Sequence, residues 1–328
     1  MAQYFTEPLQ KVFHMIFTSY NQNMAQEGLR QLELIVNNQQ TPSQLKDRAL
    51  RNDKTSRLES DIDNKEDALK IANDPEAREL GDAYALLARV YAGPRFTWEE
   101  SNFPEDNMRT YQCLHDSIRR CSPIGTLQAL RIKGSITPTV EKDMQISFDE
   151  AFRIVYDYAN QGDAYCQYVI GNVFFWRDDN RIDSAEAMLT PPPMSWTKRI
   201  QRSLTANSVR DRIAALQGTV PDEKLQKNAS NLAKEWFNKA LDNGLAMFQG
   251  NLRNIYIDEA DFTNARRVAR TAAELGNPAM MLYTGLDCHE NGKFEDAFTW
   301  FTKGAALGQS ESIAELADYY YHFYDAKN

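Results

Sequence analysis

The chain has 328 residues, of which 42% are hydrophobic and 25% charged, and its formal net charge is −9 at pH 7. This composition supports a substantial core and excludes wholesale disorder. Nucleic-acid binding rests on lysine and arginine neutralising phosphates, so the acidic balance argues against it. The sequence has neither a run of about 20 apolar residues nor a signal peptide, so we expect a cytoplasmic protein with no membrane insertion.

Helix-favouring residues dominate the chain, and its 15 glycines and 12 prolines are too few for a β-sandwich or barrel with frequent turns. We divide the sequence into an N-terminal helical array over residues 1–176, an insertion or linker over residues 177–228, and C-terminal helical repeats over residues 229–328. The predicted fold class is all-α.

The first interruption of the N-terminal array is residues 38–74, which are polar and densely charged. They indicate either an exposed inserted helix, which we favour, or a mobile arm. Asp74 then caps a new helix, because Pro75 follows it at the first helical position. One helix is predicted from Pro75 towards Gly93.

The second interruption is a long loop over residues 93–107, which carries Phe96, Trp98 and Phe103. Loops of more than about 12 residues are often functional or mobile. We expect these aromatic side chains to attach the loop to the array rather than to contact a ligand. As a loop residue, Trp98 is expected to contribute much less stability than Trp300, which is placed on a helix face below.

A capping box formed by Ser147 and Glu150 predicts the start of another helix. One face of this helix, at offsets of 0, 3, 4, 7 and 8 residues, is apolar and consists of Ala151, Ile154, Val155, Tyr158 and Ala159. Gly162 stands eleven residues after the first alanine. The helix is expected to end there, because glycine enters the left-handed conformation without a steric cost.

The insertion over residues 177–228 contains three consecutive prolines at positions 191–193, which favour polyproline II and exclude a central helix. Residues 198–212 are locally basic, with five lysines or arginines and one acid. For this cluster we favour a solvated helix face over a docking site. The segment as a whole is either a linker between two halves of the array or a partner-binding insertion.

The C-terminal third repeats the alanine–glycine spacing three times. Gly244, Gly276 and Gly308 are each 32 residues apart, and an alanine stands eleven residues before each of them. The apolar stripes are Ala233, Trp236, Phe237, Ala240 and Leu241; Ala265, Val268, Ala269, Ala272 and Ala273; and Ala297, Trp300, Phe301, Gly304 and Ala305. A period in this range is typical of stacked helical hairpins. We therefore predict an α-solenoid of stacked antiparallel helical hairpins with inserted loops.

The tetrapeptide Gly-Asp-Ala-Tyr occurs twice, at residues 81–84 and 162–165. In the second copy, Gly162 is predicted to end one helix and the next residues to open another, so that the tetrapeptide is the corner between two hairpins. The first copy fits less well, because the residue eleven positions before Gly81 is Lys70 instead of an alanine.

Residues 297–320 resemble a Sel-like repeat, an offshoot of the tetratricopeptide helical hairpins. The family pattern Ala-x-x-Trp-Phe/Tyr-x-Lys-Ala-Ala-x-x-Gly is matched by Ala297, Trp300, Phe301, Lys303, Ala305, Ala306 and Gly308, and nearly as well by Ala233, Trp236, Phe237, Lys239, Ala240 and Gly244. The copy that ends at Gly276 keeps only the alanines and the glycine. The resemblance covers residues 147–176 and 229–323, and it implies a helical solenoid.

The last helix carries three consecutive tyrosines, Tyr319, Tyr320 and Tyr321. Their side chains point about 100° apart and cannot all face one core. A terminal repeat normally presents a polar outer face. The tyrosines either cap the array as amphipathic side chains, which we favour, or form a surface for a homodimer or another partner.

Patterns for catalysis and metal binding are missing from the sequence. The four cysteines and four histidines are isolated, with neither a Cys-x-x-Cys pair nor the spacing of a zinc site. No phosphate-binding loop, HExxH or Gly-x-Ser-x-Gly motif occurs. We therefore predict no metal, no cofactor and no enzymatic activity.

The leading interpretation is a protein–protein interaction scaffold or adaptor that holds a peptide or protein on its concave helical surface. The first helix of each hairpin would supply this surface, and the candidate contacts are Asn251, Arg253, Asn254, Asp287 and Tyr320. Two alternatives stay open. One is an inhibitor or immunity protein that blocks a single toxin or enzyme, which the acidic charge favours. The other is an enzyme whose site only the folded chain assembles.

Overall fold

The computed structural model describes residues 3–37, 65–133, 143–176, 222–247 and 249–324. Within these ranges the chain is all-α, as predicted, and no strand occurs. The fourteen α-helices, α1 to α14 in chain order, are Glu7–Phe13, Gln22–Asn37, Lys65–Asn73, Pro75–Tyr91, Asn107–Arg119, Pro123–Lys133, Phe148–Asn160, Ala164–Phe175, Asp222–Asp242, Gly250–Asp258, Phe262–Glu274, Pro278–Glu290, Phe294–Ala306 and Ser310–Tyr324. A π-helical turn, His14–Thr18, continues α1.

Neighbouring helices along the chain pack side by side, which gives a solenoid-like array. Each even-numbered helix from α4 onwards opens a hairpin that the next odd-numbered helix closes, and α14 is the last helix of the described chain. The two helices of a hairpin are antiparallel. In the hairpin of α12 and α13, for example, Gly285 lies against the ring of Phe301, whereas His289, further along α12, contacts Phe294 at the start of α13.

The predicted glycine corners are confirmed. Gly162, Gly244, Gly276 and Gly308 have φ values of 96°, 88°, 99° and 87°, which lie in the region that residues with a Cβ rarely adopt. Each corner repeats one hydrogen-bond pattern. The N–H of the glycine donates to the residue three positions earlier, and the next N–H donates to the residue five positions before its own. This closure satisfies the last carbonyls of the odd-numbered helix and turns the chain into the next hairpin.

The predicted apolar stripes form the core of the array. Every stripe residue is buried except Tyr158 and Ala305, which are half-buried. The lysine of the repeat pattern covers the tryptophan that precedes it, since the Lys239 Nζ lies 4.0 Å from the ring centroid of Trp236. The Lys303 Nζ lies 4.3 Å from the ring of Trp300 in the same way.

The structure contains two further apolar stripes that are followed by a corner eleven residues after their first residue, and sequence reasoning missed both. They begin at Leu9 and Thr110, and their stripes are Leu9, Val12, Phe13, Ile16 and Phe17, and Thr110, Cys113, Leu114, Ser117 and Ile118, all of them buried. Eleven residues after each start the chain again turns through positive φ, at Tyr20 (48°) and Cys121 (58°). A side chain at such a corner is strained. Both are held by burial, with 3% of Tyr20 and 0% of Cys121 exposed.

The two Gly-Asp-Ala-Tyr copies have different structures. The second is the predicted corner, with the Asp163 side chain accepting a hydrogen bond from the N–H of Cys166 at 2.8 Å. The first lies inside α4, which starts at Pro75 behind the predicted cap Asp74. There Gly81 permits close packing, because a Cβ at this position would lie 2.7 Å from the carbonyl oxygen of Arg120.

The long insertion does not interrupt the array. Helix α8 packs directly on α9, with Gly171 against the ring of Phe237 and the Asn243 side chain donating to Gln167 at 2.9 Å. Helix α9 begins at Asp222, inside the segment assigned to the insertion. The proline triplet at 191–193 and the basic cluster lie outside the described residues.

Helix α3 lies within the charged segment 38–74 and buries Ala68 and Ala72. The remainder of this segment, residues 38–64, lies outside the described residues. Of the exposed helix predicted for this segment, the structure describes only α3, which packs against α4.

The loop over residues 93–107 is attached to the array by its aromatic side chains, as expected. Phe103 is 2% exposed and Trp98 is 6% exposed, and the Nε1–H of Trp98 donates to the carbonyl of Ile16 at 2.8 Å. This burial removes the reason for expecting Trp98 to contribute much less stability than Trp300. This side chain is buried as deeply as Trp300, which is 9% exposed.

Gly244→Ala is expected to lower the free energy of unfolding by about 1–2 kcal/mol, because alanine is strained at positive φ. No other atom lies within 4 Å of a Cβ placed there, so the cost is conformational only. Gly250→Ala is the matched control, since its surroundings are equally open and it lies in α10, where alanine is favoured over glycine. Urea titration of both variants measures the difference. Equal effects would show that the corner imposes no constraint.

Trp98→Ala and Trp300→Ala are each expected to lower the free energy of unfolding by about 3–5 kcal/mol, the usual loss for a buried large aromatic residue. Trp176→Ala is the control, because this side chain is 57% exposed, and its loss should stay below about 1 kcal/mol. A loss at Trp98 as small as that at Trp176 would mean that the loop is not part of the core.

Candidate protein-binding surface

The N-terminal segment, residues 3–20, packs across the even-numbered helices of the first half of the array. Phe5 and Phe13 contact the ring of Tyr165 on α8, with centroid separations of 5.5 and 4.8 Å. The Tyr165 hydroxyl also accepts a hydrogen bond of 2.8 Å from the Gln128 amide of α6. Beneath the same ring cluster, Arg89 of α4 is 2% exposed. This part of the even-numbered helices is therefore covered by the chain itself.

A buried polar network holds the start of this segment in place. The Arg78 Nε–H donates to the Asp82 carboxylate at 3.1 Å, and Arg78 also donates to the Tyr4 carbonyl at 2.9 Å. The Tyr4 hydroxyl and the Ser122 hydroxyl both donate to Asp82, at 3.1 and 2.6 Å. The N–H of Tyr4 donates to Asp163 at 2.9 Å. The network thus connects the N-terminal segment to α4 and to two corners of the array.

The network is closed to solvent and is suited to holding the fold together, not to chemistry on a substrate. Tyr4 and Arg78 are 0% exposed and Asp82 is 1% exposed. Burial raises the pKa of the Asp82 carboxyl, and the adjacent Arg78 guanidinium opposes this shift. Burial also raises the pKa of the Tyr4 hydroxyl well above its ordinary value. Neither group is accessible to an incoming molecule.

An arginine of α10 stacks on a tyrosine of α12 at the surface of the array. The guanidinium carbon of Arg253 lies 3.9 Å from the ring centroid of Tyr283. Arg253 is half-buried and Tyr283 is 37% exposed. Leu286 lies half-buried one turn further along α12. We call the area around Arg253, Asn254, Tyr283 and Leu286 the α10–α12 surface.

The structure brings only some of the predicted contact residues together. Asn254 is exposed next to Arg253. Asn251 is half-buried and points about 200° away from Arg253 around the helix, because it is two residues earlier. Asp287 lies on α12 and forms an ion pair of 2.5 Å with Arg266 of α11. Tyr320 lies on α14 and is 48% exposed, with its ring 5.7 Å from that of Phe298.

Tyr283 was missed by sequence reasoning. One weak signal indicated that Tyr283 faces away from the next helix. Tyr283 is two residues from Gly285 and therefore lies about 200° around α12 from the face that packs on α13. The stacking partner of Tyr283 belongs to the preceding hairpin, and no local pattern connects positions 253 and 283.

The part of the chain that the structure describes holds no group of three or more His, Cys, Asp or Glu side chains arranged for a metal ion. All four cysteines are free and buried. The His115 Nε2 lies 2.7 Å from a carboxylate oxygen of Asp143. Among the described helices, none combines the length and the apolar character needed to cross a membrane.

Comparison with known proteins adds no family to this description. No protein-family model matches the chain, and no curated protein matches it at a significant level. The resemblance to Sel-like repeats therefore rests on the residues of the repeats alone.

Asp82→Asn is expected to lower the free energy of unfolding by about 3–5 kcal/mol, because it leaves the buried Arg78 charge uncompensated. Asp116→Asn is a matched control. Both aspartates are four residues from their arginine at 3.1 Å, but the Asp116 and Arg120 side chains are 39% and 25% exposed, so the control should lose at most about 1 kcal/mol. Chemical denaturation of both variants measures these losses. Equal losses of unfolding free energy would exclude a special role for the network.

Proposed function

We propose that this chain is a non-enzymatic interaction scaffold whose helical hairpins are of the Sel-like type and which binds a protein or peptide on the α10–α12 surface. The stacking of Arg253 on Tyr283 supports this proposal most directly. Stacked hairpins form extended surfaces suited to partner binding. The N-terminal segment packs on α4 and α8, and its last residue, Tyr20, reaches the corner at Gly276. Asn254 and Tyr283 stay exposed on α10 and α12.

The Arg253–Tyr283 pair has the properties of a binding contact. Arginine and tyrosine are enriched among the residues that dominate binding energy at interfaces. Stacking on the ring occupies the face of the guanidinium and leaves its edge N–H groups for a partner. Among the described residues, none accepts a hydrogen bond from the guanidinium of Arg253, whose backbone N–H donates to Gln249. Because the ring already restrains the side chain, less rotamer freedom is lost on binding.

This chemistry selects a carboxylate. A guanidinium edge binds a carboxylate through two parallel hydrogen bonds, and the exposed Asn254 amide next to it suits a peptide backbone. The net charge of −9 would repel a long acidic segment. The partner is therefore a segment with one carboxylate at the contact and a neutral or basic remainder. A reducing compartment such as the cytoplasm suits the four free cysteines.

Arg253→Ala is expected to weaken binding of the partner by more than about 1 kcal/mol, because the charge-assisted hydrogen bonds are lost. The partner is first recovered by affinity purification as a single stoichiometric component, and calorimetry then compares the variants. The loss should shrink at high salt, and the melting temperature should stay unchanged because the residue is not core.

Arg270→Ala is the control for this experiment. Arg270 pairs with Glu274 on α11, its side chain is 63% exposed, and it lies on an odd-numbered helix. Its removal should leave the affinity unchanged. Unchanged affinity in Arg253→Ala as well would remove the α10–α12 surface from the binding site.

A further inference from the structure

The last even-numbered helix, α14, has an apolar face that its counterparts bury. In α12 the corresponding face consists of Met281, Gly285 and Cys288, and the following helix α13 packs on it. Met281 is 7% exposed and Cys288 is 5% exposed. A Cβ at Gly285 would lie 2.5 Å from the Phe301 ring of α13, so the two helices touch closely. Gly171 of α8 contacts α9 in the same way.

The same positions in α14, each 32 residues later, are open to solvent. Ile313 is 49% exposed and Tyr320 is 48% exposed, and Ala317 between them is also exposed. Spacings of four and three residues place these side chains on one stripe. These exposures show that no helix of the described part of the chain covers the stripe.

The stripe is flanked by an apolar side chain on one side and by acidic side chains on the other. Phe298 of α13 lies next to Tyr320 and forms the apolar wall. On the opposite side stand the exposed acids Glu311 and Asp318. Residues 294–324 contain five acidic residues and one lysine. An occupant that matches this surface carries an apolar stripe and basic flanks.

We propose that α14 is a docking site for an amphipathic, basic helix of a partner protein, which packs on Ile313, Ala317 and Tyr320 in the place that an odd-numbered helix takes in the other hairpins. This is a second surface, independent of the α10–α12 surface. The small Ala317 lets the incoming helix approach closely. A second copy of this chain is the less suitable occupant, because two α14 helices would bring the same acidic side chains together.

A synthetic peptide with the sequence of residues 293–308 tests this proposal. It is made with Glu295→Lys and Asp296→Lys, so that it keeps the apolar stripe of α13 but carries basic flanks, and it bears a fluorescent label. Fluorescence anisotropy with the full chain should show saturable binding. The peptide with its natural acids should bind more weakly. Asp318→Lys in the protein should lower the affinity for the basic peptide, because charge complementarity is removed.

Ala317→Arg is expected to reduce the affinity for the basic peptide at least about tenfold, because it places bulk and like charge at the centre of the contact. Phe262→Arg is the matched control, since Phe262 is 56% exposed on α11, and binding should be unchanged. Melting temperatures of both variants show whether each is folded. Both positions are exposed, so both variants should melt like the natural chain.

Two results would overturn the proposal. One is the absence of saturable binding of the basic peptide, or binding that Ala317→Arg leaves intact. The other is a dimer in analytical ultracentrifugation that Ala317→Arg dissociates, because a second copy would then occupy the face.

Discussion

The left-handed corner at the end of the odd-numbered helices is the constraint on which the array depends. The corner closes the helix with two hydrogen bonds and reverses the chain, but it demands positive φ. Glycine meets this demand at Gly162, Gly244, Gly276 and Gly308. Because each corner stands at the same distance from the start of its apolar stripe, successive hairpins present their stripes to one another in register.

Close packing between the helices of a hairpin depends on a second use of glycine. Gly171 and Gly285 have no Cβ where the rings of Phe237 and Phe301 arrive, so a small residue on one helix accommodates a large one on the next. The same rule makes the end of the array distinctive. At the corresponding position of α14, Ala317 is exposed, and within the described residues the apolar face that the other hairpins bury stays open.

The N-terminal segment packs along the array, from Tyr165 of α8 to the corner at Gly276, which Tyr20 contacts. The buried Arg78–Asp82 pair and its hydrogen bonds to Tyr4 fix the segment, while its aromatic rings cover Tyr165 of α8. A buried charge pair is expensive to break because each partner left alone would be an unpaired charge. The segment is therefore part of the core, and the surfaces that we propose for partners lie on α10, α12 and α14.

The sequence by itself determined the all-α class, the glycine corners, the apolar stripes and the cap of α4, because each depends on residues within one or two helical turns. Only the tertiary structure decided the corners at Tyr20 and Cys121, where burial by distant residues replaces the freedom of glycine. It also decided the burial of Trp98, whose hydrogen-bond partner Ile16 is far away in sequence. Arg253 was predicted as a contact from its chemistry, but its stacking on Tyr283 joins two hairpins. Local patterns carry no information about such a pair, because its distance is set by how the hairpins stack.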